Sequence, residues 1–118
     1  MTELIACLST GKGTWAHVSK LMKEQEWEKI ILISNEFGKE NFTTDEKTEV
    51  IAFDTNKEIK ELREDILTAL KEKIKGTEVA VNFISGSGKE HMAFLGAILK
   101  LGVGIRLVSS TKEGVEEI

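Results

Sequence analysis

Five short apolar runs, each followed by a polar or glycine-rich stretch, constrain this chain more than any other feature. They are Glu3–Leu8, Lys29–Ile33, Glu49–Phe53, Glu78–Ile84 and Val103–Ser109. None alternates cleanly between apolar and polar residues, as a strand with one wet face would. Continuous apolar runs instead suit parallel strands covered by helices on both faces.

The stretches between most of these runs carry a helical period. Thr14 is placed to cap a helix through Glu26, with Trp15, Val18, Leu21 and Met22 along one face. Asn56 is placed to cap a longer helix whose apolar positions Ile59, Leu62, Ile66, Leu70 and Ile74 recur at steps of three and four. Gly76 follows, where a glycine that ends a helix belongs. A further helix runs to about Leu101. The link between the second and third runs, "SNEFGKENFTTDEK", shows no helical pattern and reads as a loop, so the third strand is expected either at an edge or in irregular pairing. The acidic segment Glu36–Glu49 reads as a solvated loop rather than a pair of catalytic carboxylates. The tail "TKEGVEEI" adds a turn or frays.

Strands alternating with helices predict a three-layer α/β domain, Rossmann-like, with a mostly parallel sheet of about five strands and helices on both faces. A length of 118 residues suits one domain, 1–118, and 41% hydrophobic residues suffice for a core. A net charge of −4 argues against a broad grip on duplex nucleic acid. No apolar run approaches the roughly 18 residues of a membrane span, and no basic segment precedes an apolar one at the N-terminus. The lone Cys7, within "LIACL", reads as a small buried hydrophobe, and a single cysteine fits a reducing interior. A soluble cytoplasmic protein without a signal peptide is the expectation.

Two loops hold small, flexible and hydroxyl-bearing residues. Ser9-Thr10-Gly11-Lys12-Gly13-Thr14 follows the first strand, and Ser85-Gly86-Ser87-Gly88-Lys89 follows the fourth. Each leads into a helix, whose first N–H groups and positive dipole end favour an anion. Glycine lets backbone approach a phosphate closely. In doubly wound sheets such loops face a crevice beyond the carboxyl ends of the strands, and the first and fourth strands are neighbours in the common orders. These ten residues from Ser9 to Gly13 and from Ser85 to Lys89 are the candidate ligand-binding set.

Specific motifs narrow the ligand. A nucleotide-binding P-loop would need glycine where Phe83 stands and a hydroxyl where Glu90 stands, so "GSGK" is not one. Gly11, Gly13 and Ala16 do fit the dinucleotide pattern G-x-G-x-x-A, and Glu36 lies about where a ribose-binding acid would. A dinucleotide-dependent or other phosphate-ligand Rossmann enzyme is therefore the alternative reading, although the chain has no room for a second catalytic domain. One Cys and two separated His make no metal site. Nothing in the sequence calls for a cofactor.

The helix "HMAFLGAILKLG" is apolar almost all round. In so small a domain it is either tucked centrally against the sheet or covered by a second subunit, and the second arrangement is favoured. Across a two-fold axis each loop would be used twice, presenting two copies each of Lys12 and Lys89 to one symmetric anionic ligand.

The segment "EVAVNFISGSGKEHMAFLGAILKLGVGIRLV" resembles the CARF domains (CRISPR-associated Rossmann fold). Their pattern is an apolar strand with Asn, then T-G-G-T-K, an apolar helix, and a strand after a glycine. Asn82 fits the strand, Ser85-Gly86 stands for Thr-Gly and Lys89 for the lysine, while Ser87 and Gly88 replace the second glycine and the threonine. Ser9-Thr10-Gly11 is like the family's first ligand loop. The resemblance implies a homodimer binding cyclic oligoadenylate across its axis in a CRISPR-linked antiviral response, without cofactor or metal. Family members often carry a sixth strand and a C-terminal effector domain. Some stand-alone members cleave the ring, which would assign Ser9 (or Thr10) to positioning and Lys89 to charge stabilisation. His91 or His17 could then move the proton, His91 being better placed. Trp15 could stack on a base, but its simpler role is to pack at the start of its helix, and Trp27 reads as core.

Overall fold

The structure, a computed structural model, describes residues 2–9 and 12–118, and of Lys12 only the backbone. Six strands and four α-helices follow one another: β1 (Glu3–Cys7), α1 (Trp15–Lys23), β2 (Lys29–Ser34), α2 (Glu36–Asn41), β3 (Thr48–Ala52), α3 (Ile59–Lys71), β4 (Glu78–Asn82), α4 (Gly88–Leu101), β5 (Gly104–Thr111) and β6 (Gly114–Glu117). A short 3₁₀ turn at Lys12–Thr14 leads into α1. The expected α/β architecture is present.

The sheet order is β3-β2-β1-β4-β5-β6. The first five strands are parallel, with Leu4 opposite Ile30 on one side and Ala80 on the other. Each face of the sheet has its own core because neighbouring side chains on a strand point to opposite sides. Ile5, Cys7, Ile31, Ile33, Val79 and Val81 pack beneath Leu62, Ile66 and Leu70 of α3 and Phe94, Ala97 and Ile98 of α4. Leu4, Ala6, Leu8, Ile30 and Leu32 pack beneath Trp15, Val18 and Leu21 of α1 and beside Trp27. Trp27 is core as expected, and its ring N–H donates to the Leu21 carbonyl at 2.9 Å.

Two elements exceed the expectation. The segment after β2, read as a loop, contains α2. Asn35 caps it by accepting the Gly38 N–H at 2.9 Å. A Cβ on Gly38 would collide with the Ser34 side chain, so this glycine lets the helix lie close against the strand exit. The tail forms β6, antiparallel to β5, with Thr111 opposite Gly114 and Val108 opposite Glu117. Gly114 takes a φ of +103° in the turn, which glycine adopts without steric cost. The sheet therefore has six strands rather than five.

Several helix ends also differ. α1 stops at Lys23 rather than Glu26, and Thr14 makes no side-chain cap bond. Glu58, not Asn56, precedes α3. Asn56 instead gives its N–H to Asp54 at 3.0 Å. α3 ends at Lys71, so Gly76 does not cap it. Gly76 donates its N–H at 2.8 Å to Glu3, a buried carboxylate that holds the chain's entry into β4. α4 does end on a glycine, Gly102, at φ +84°. Among the described residues, no helix is long and apolar enough to cross a membrane.

Candidate functional site

The chain reverses its winding between β1 and β4, which are adjacent. In open parallel sheets this reversal opens a crevice above the strands' carboxyl ends. Ser9 stands at the end of β1, and Ser85–Ser87 cross over it from the end of β4.

Asn82 sets the exit of β4. Its side-chain oxygen accepts the Ile84 N–H at 3.1 Å, while its amide donates to the Val108 carbonyl at 2.9 Å. The chain can then turn back, and Gly86 completes the turn at φ +109°. A Cβ there would stand 2.6 Å from the Cys7 sulfur and 3.1 Å from the His91 ring, so only glycine fits this close approach.

The two loops are tied to each other. Ser9 donates its N–H to the Ser85 hydroxyl at 3.2 Å and its hydroxyl to Glu90 at 3.1 Å. Glu90 also accepts the Ser87 N–H at 2.7 Å, while the Ser87 hydroxyl accepts the Glu90 N–H at 3.2 Å. This reciprocal pair is a capping box that starts α4. Glu90 is 8% exposed, so one buried carboxylate joins the end of β1, the β4 loop and the head of α4. Burial, and then the Glu90 charge, push the Cys7 thiol from its ordinary 9.0 up to about 12. Cys7 is thus a buried neutral thiol, as its apolar neighbours suggest.

The sequence-derived candidates divide into groups. Ser9, Ser85, Gly86, Ser87, Gly88 and Lys89 come together at the crossing. Lys89 leans outward from it, donating its ammonium to the Thr55 carbonyl at 2.9 Å in the loop between β3 and α3. His91 is held by the β4 loop. Its Nε2 lies 2.7 Å from the Ser85 carbonyl, and because a carbonyl only accepts, that nitrogen carries the proton and leaves Nδ1 as the basic atom. The His91 ring also packs 5.4 Å from Phe83. His17, on α1, does not join the crossing but reaches Asn82: its Nε2 lies 3.5 Å from the Asn82 side-chain amide and accepts the Ser110 N–H of β5 at 3.4 Å. Gly13 is exposed in the 3₁₀ turn. Thr10, Gly11 and the Lys12 side chain lie outside the described residues.

Trp15 is buried rather than presented to a ligand. Its ring N–H donates to the Ser9 carbonyl at 2.8 Å, and Phe37 and Phe42 stand 5.9 and 5.6 Å from its ring. It props the first loop from the α1 side.

Glu90 is the residue that motif reasoning passed over, since it figured only as a mismatch to a P-loop. Its signal was present as Ser87-x-x-Glu90, the spacing of a capping box. Among the described residues, no three His, Cys, Asp or Glu side chains gather into a group that could hold a metal ion. No protein-family model matches the chain, and no curated protein matches it significantly.

Proposed function

We propose that the chain is a small CARF-like domain that binds a cyclic oligoadenylate-type second messenger across the two-fold axis of a homodimer. It would serve a CRISPR-linked antiviral response as sensor, sink or slow ring nuclease. The observation that carries this reading is the crossing of the β1 and β4 loops, where Ser9, Ser85, Ser87 and the head of α4 meet beside Lys89. Hydroxyls, backbone N–H groups and a cation within reach suit a phosphodiester. The sixth strand, which the resemblance associates with the family, is a second support.

The outer face of α4 supports the dimer. Met92 and Leu99 are 64% and 63% exposed. With Leu95, Gly96 and Ile59 they line an apolar groove between α3 and α4. Exposed apolar residues this large, aligned on one helix, suit burial against a second copy.

If the ring is cleaved, the ribose 2′-oxygen attacks the adjacent phosphorus, its proton leaves to a base, and the P–O5′ bond breaks as the 5′-oxygen takes a proton from the protonated base or from water. Ser9, fixed by Glu90, would orient the attack. Lys89 would exchange the Thr55 carbonyl for the phosphate and offset the charge on the phosphorane. His91 Nδ1 is the candidate base, acting without a metal as the resemblance implies.

A thermal-shift panel of cyclic oligoadenylates, NAD(P) and flavins tests the reading. A raised midpoint with one cyclic oligoadenylate alone supports it, and no rise with any of them refutes it. A rise with NAD(P) would favour the dinucleotide alternative, whose strand order this sheet shares. Light scattering should give twice the 13.1 kDa chain mass, reverting to one chain in Met92→Glu.

A further inference from the structure

A concavity lies beside the loop crossing, over the carboxyl ends of β2 and β3. It has a volume of about 510 Å³, within the range of small-molecule sites. Its walls come from the start of α2 and from the loop that leads to α3, including Asn35, Glu36, Phe37, Asp54, Thr55 and Asn56.

The charges of its lining select what enters. Glu36 and Asp54 are the charged residues of its described lining, and the Lys89 ammonium reaches its rim at the Thr55 carbonyl. Away from Lys89, the two carboxylates disfavour a phosphate. An uncharged group rich in donors, such as a ribose diol or an exocyclic amine, would find acceptors. The lining also offers a flat surface. Phe37 is 41% exposed, with its ring tilted 48° against that of buried Trp15 at 5.9 Å, so an aromatic side chain stands partly open at this wall. Such faces stack nucleobases irrespective of sequence.

Lys89 links the two places. It starts on the first turn of α4, at the loop crossing, and ends on the Thr55 carbonyl in the wall of the concavity. A phosphate at the crossing and a group in the concavity are thus one lysine side chain apart.

We infer that this concavity is the nucleoside subsite of the ligand site, stacking a purine on Phe37 and receiving ribose or amine donors at Glu36 and Asp54. The inference rests on the reading of the loop crossing as a nucleotide-phosphate site, and it adds where the uncharged part of the ligand is recognised.

The test uses adenosine 5′-monophosphate, ribose 5-phosphate and inorganic phosphate as probes on the ¹⁵N-labelled full chain. Inorganic phosphate, which would draw Lys89 off the Thr55 carbonyl, should move at most the amides of Thr55 and Asn56, whereas adenosine monophosphate should also shift those of residues 35–37 and 52–54. Phe37→Ala should weaken adenosine monophosphate binding about tenfold, the usual scale for losing one stacking partner. Phe37→Leu, which keeps the bulk, should show the same loss if Phe37→Ala folds poorly. Adenosine monophosphate that leaves these amides unmoved, or that binds the Phe37 variants as tightly as the parent, overturns the subsite. The two claims fail separately. A cyclic oligoadenylate that stabilises parent and Phe37→Ala equally leaves the phosphate site standing and removes the subsite. Adenosine monophosphate in the concavity without cyclic oligoadenylate binding does the reverse.

Discussion

Ser9 and Glu90 lie 81 positions apart, yet the Ser9 hydroxyl donates to the Glu90 carboxylate at 3.1 Å. The bond fixes the hydroxyl proton toward α4, so the oxygen's lone pairs are directed elsewhere. It also makes the two loops one unit. Moving the head of α4 moves the end of β1.

Replacing Glu90 separates its structural and electrical roles. Glu90→Ala removes the capping box and strands the Ser9 and Ser87 donors, at a cost of about 1–3 kcal/mol. Glu90→Gln keeps an acceptor for Ser87 and a partner for Ser9, and should cost less than half as much. Urea denaturation of both variants checks this ordering. Equal losses would show that the negative charge, not the bonding pattern, holds the junction.

Gly86 sits where a side chain has neither a favourable backbone conformation nor space, at φ +109° and 2.6 Å from the Cys7 sulfur. Gly86→Ala should destabilise the domain by roughly 1–3 kcal/mol. Part of that loss is steric, so Cys7→Ala should cost less in the Gly86→Ala background than alone. A double-mutant cycle measures the coupling. Strict additivity would mean that Gly86 is needed for its backbone angle only.

The raised Cys7 pKa makes stability depend on alkaline pH. The folded thiol, at about 12, holds its proton more tightly than the unfolded thiol, near 9.0. Stability from this group is complete below pH 9 and falls as the pH rises toward 12, by about 1.4 kcal/mol per unit. Denaturation midpoints between pH 8 and 11 should show a decline, from about pH 9, that Cys7→Ala lacks. At pH 8 a thiol reagent should label Cys7 only after denaturant is added.

Lys89 is bonded to a loop carbonyl through its side chain alone, so its removal should leave the fold intact. Lys89→Ala should keep the parent's far-UV spectrum and melt within a few degrees of it. Its affinity for a cyclic oligoadenylate should fall about tenfold or more, the scale of a charge-assisted bond. Undiminished affinity would remove Lys89 from the site.

The strands were legible because each is a continuous apolar run bounded by polar residues. β1 and β4 were recognisable as neighbours because they are so in the common orders of such sheets, and their two loops stood out because small residues and lysine follow both strands. α2 was hidden because Gly38 sits in its middle and it has no apolar period. Its stability comes from the Asn35 cap and a close fit to Ser34. β6 was hidden because "GVEE" has one apolar residue, and its partner strand supplies the order. The sequence placed Lys89 at the loop but could not say where its ammonium points, since that depends on Thr55, 34 residues earlier. Glu90 and Phe37 belong to the same class: their surroundings come from segments distant along the chain.

The central position of β1 carries a kinetic consequence. β2 can dock on one side of it early, but its other flank is filled only by Val79–Asn82 of β4. On a ribosome, the middle of this sheet stays an open hydrogen-bonding edge until most of the chain has emerged. Ser9 acquires its partner later still, when Glu90 arrives. Pairing this distant in sequence is slow to form. A nascent chain halted before β4 would carry a bare apolar strand and lack the Ser85–Lys89 loop, the form that most needs a chaperone's cover.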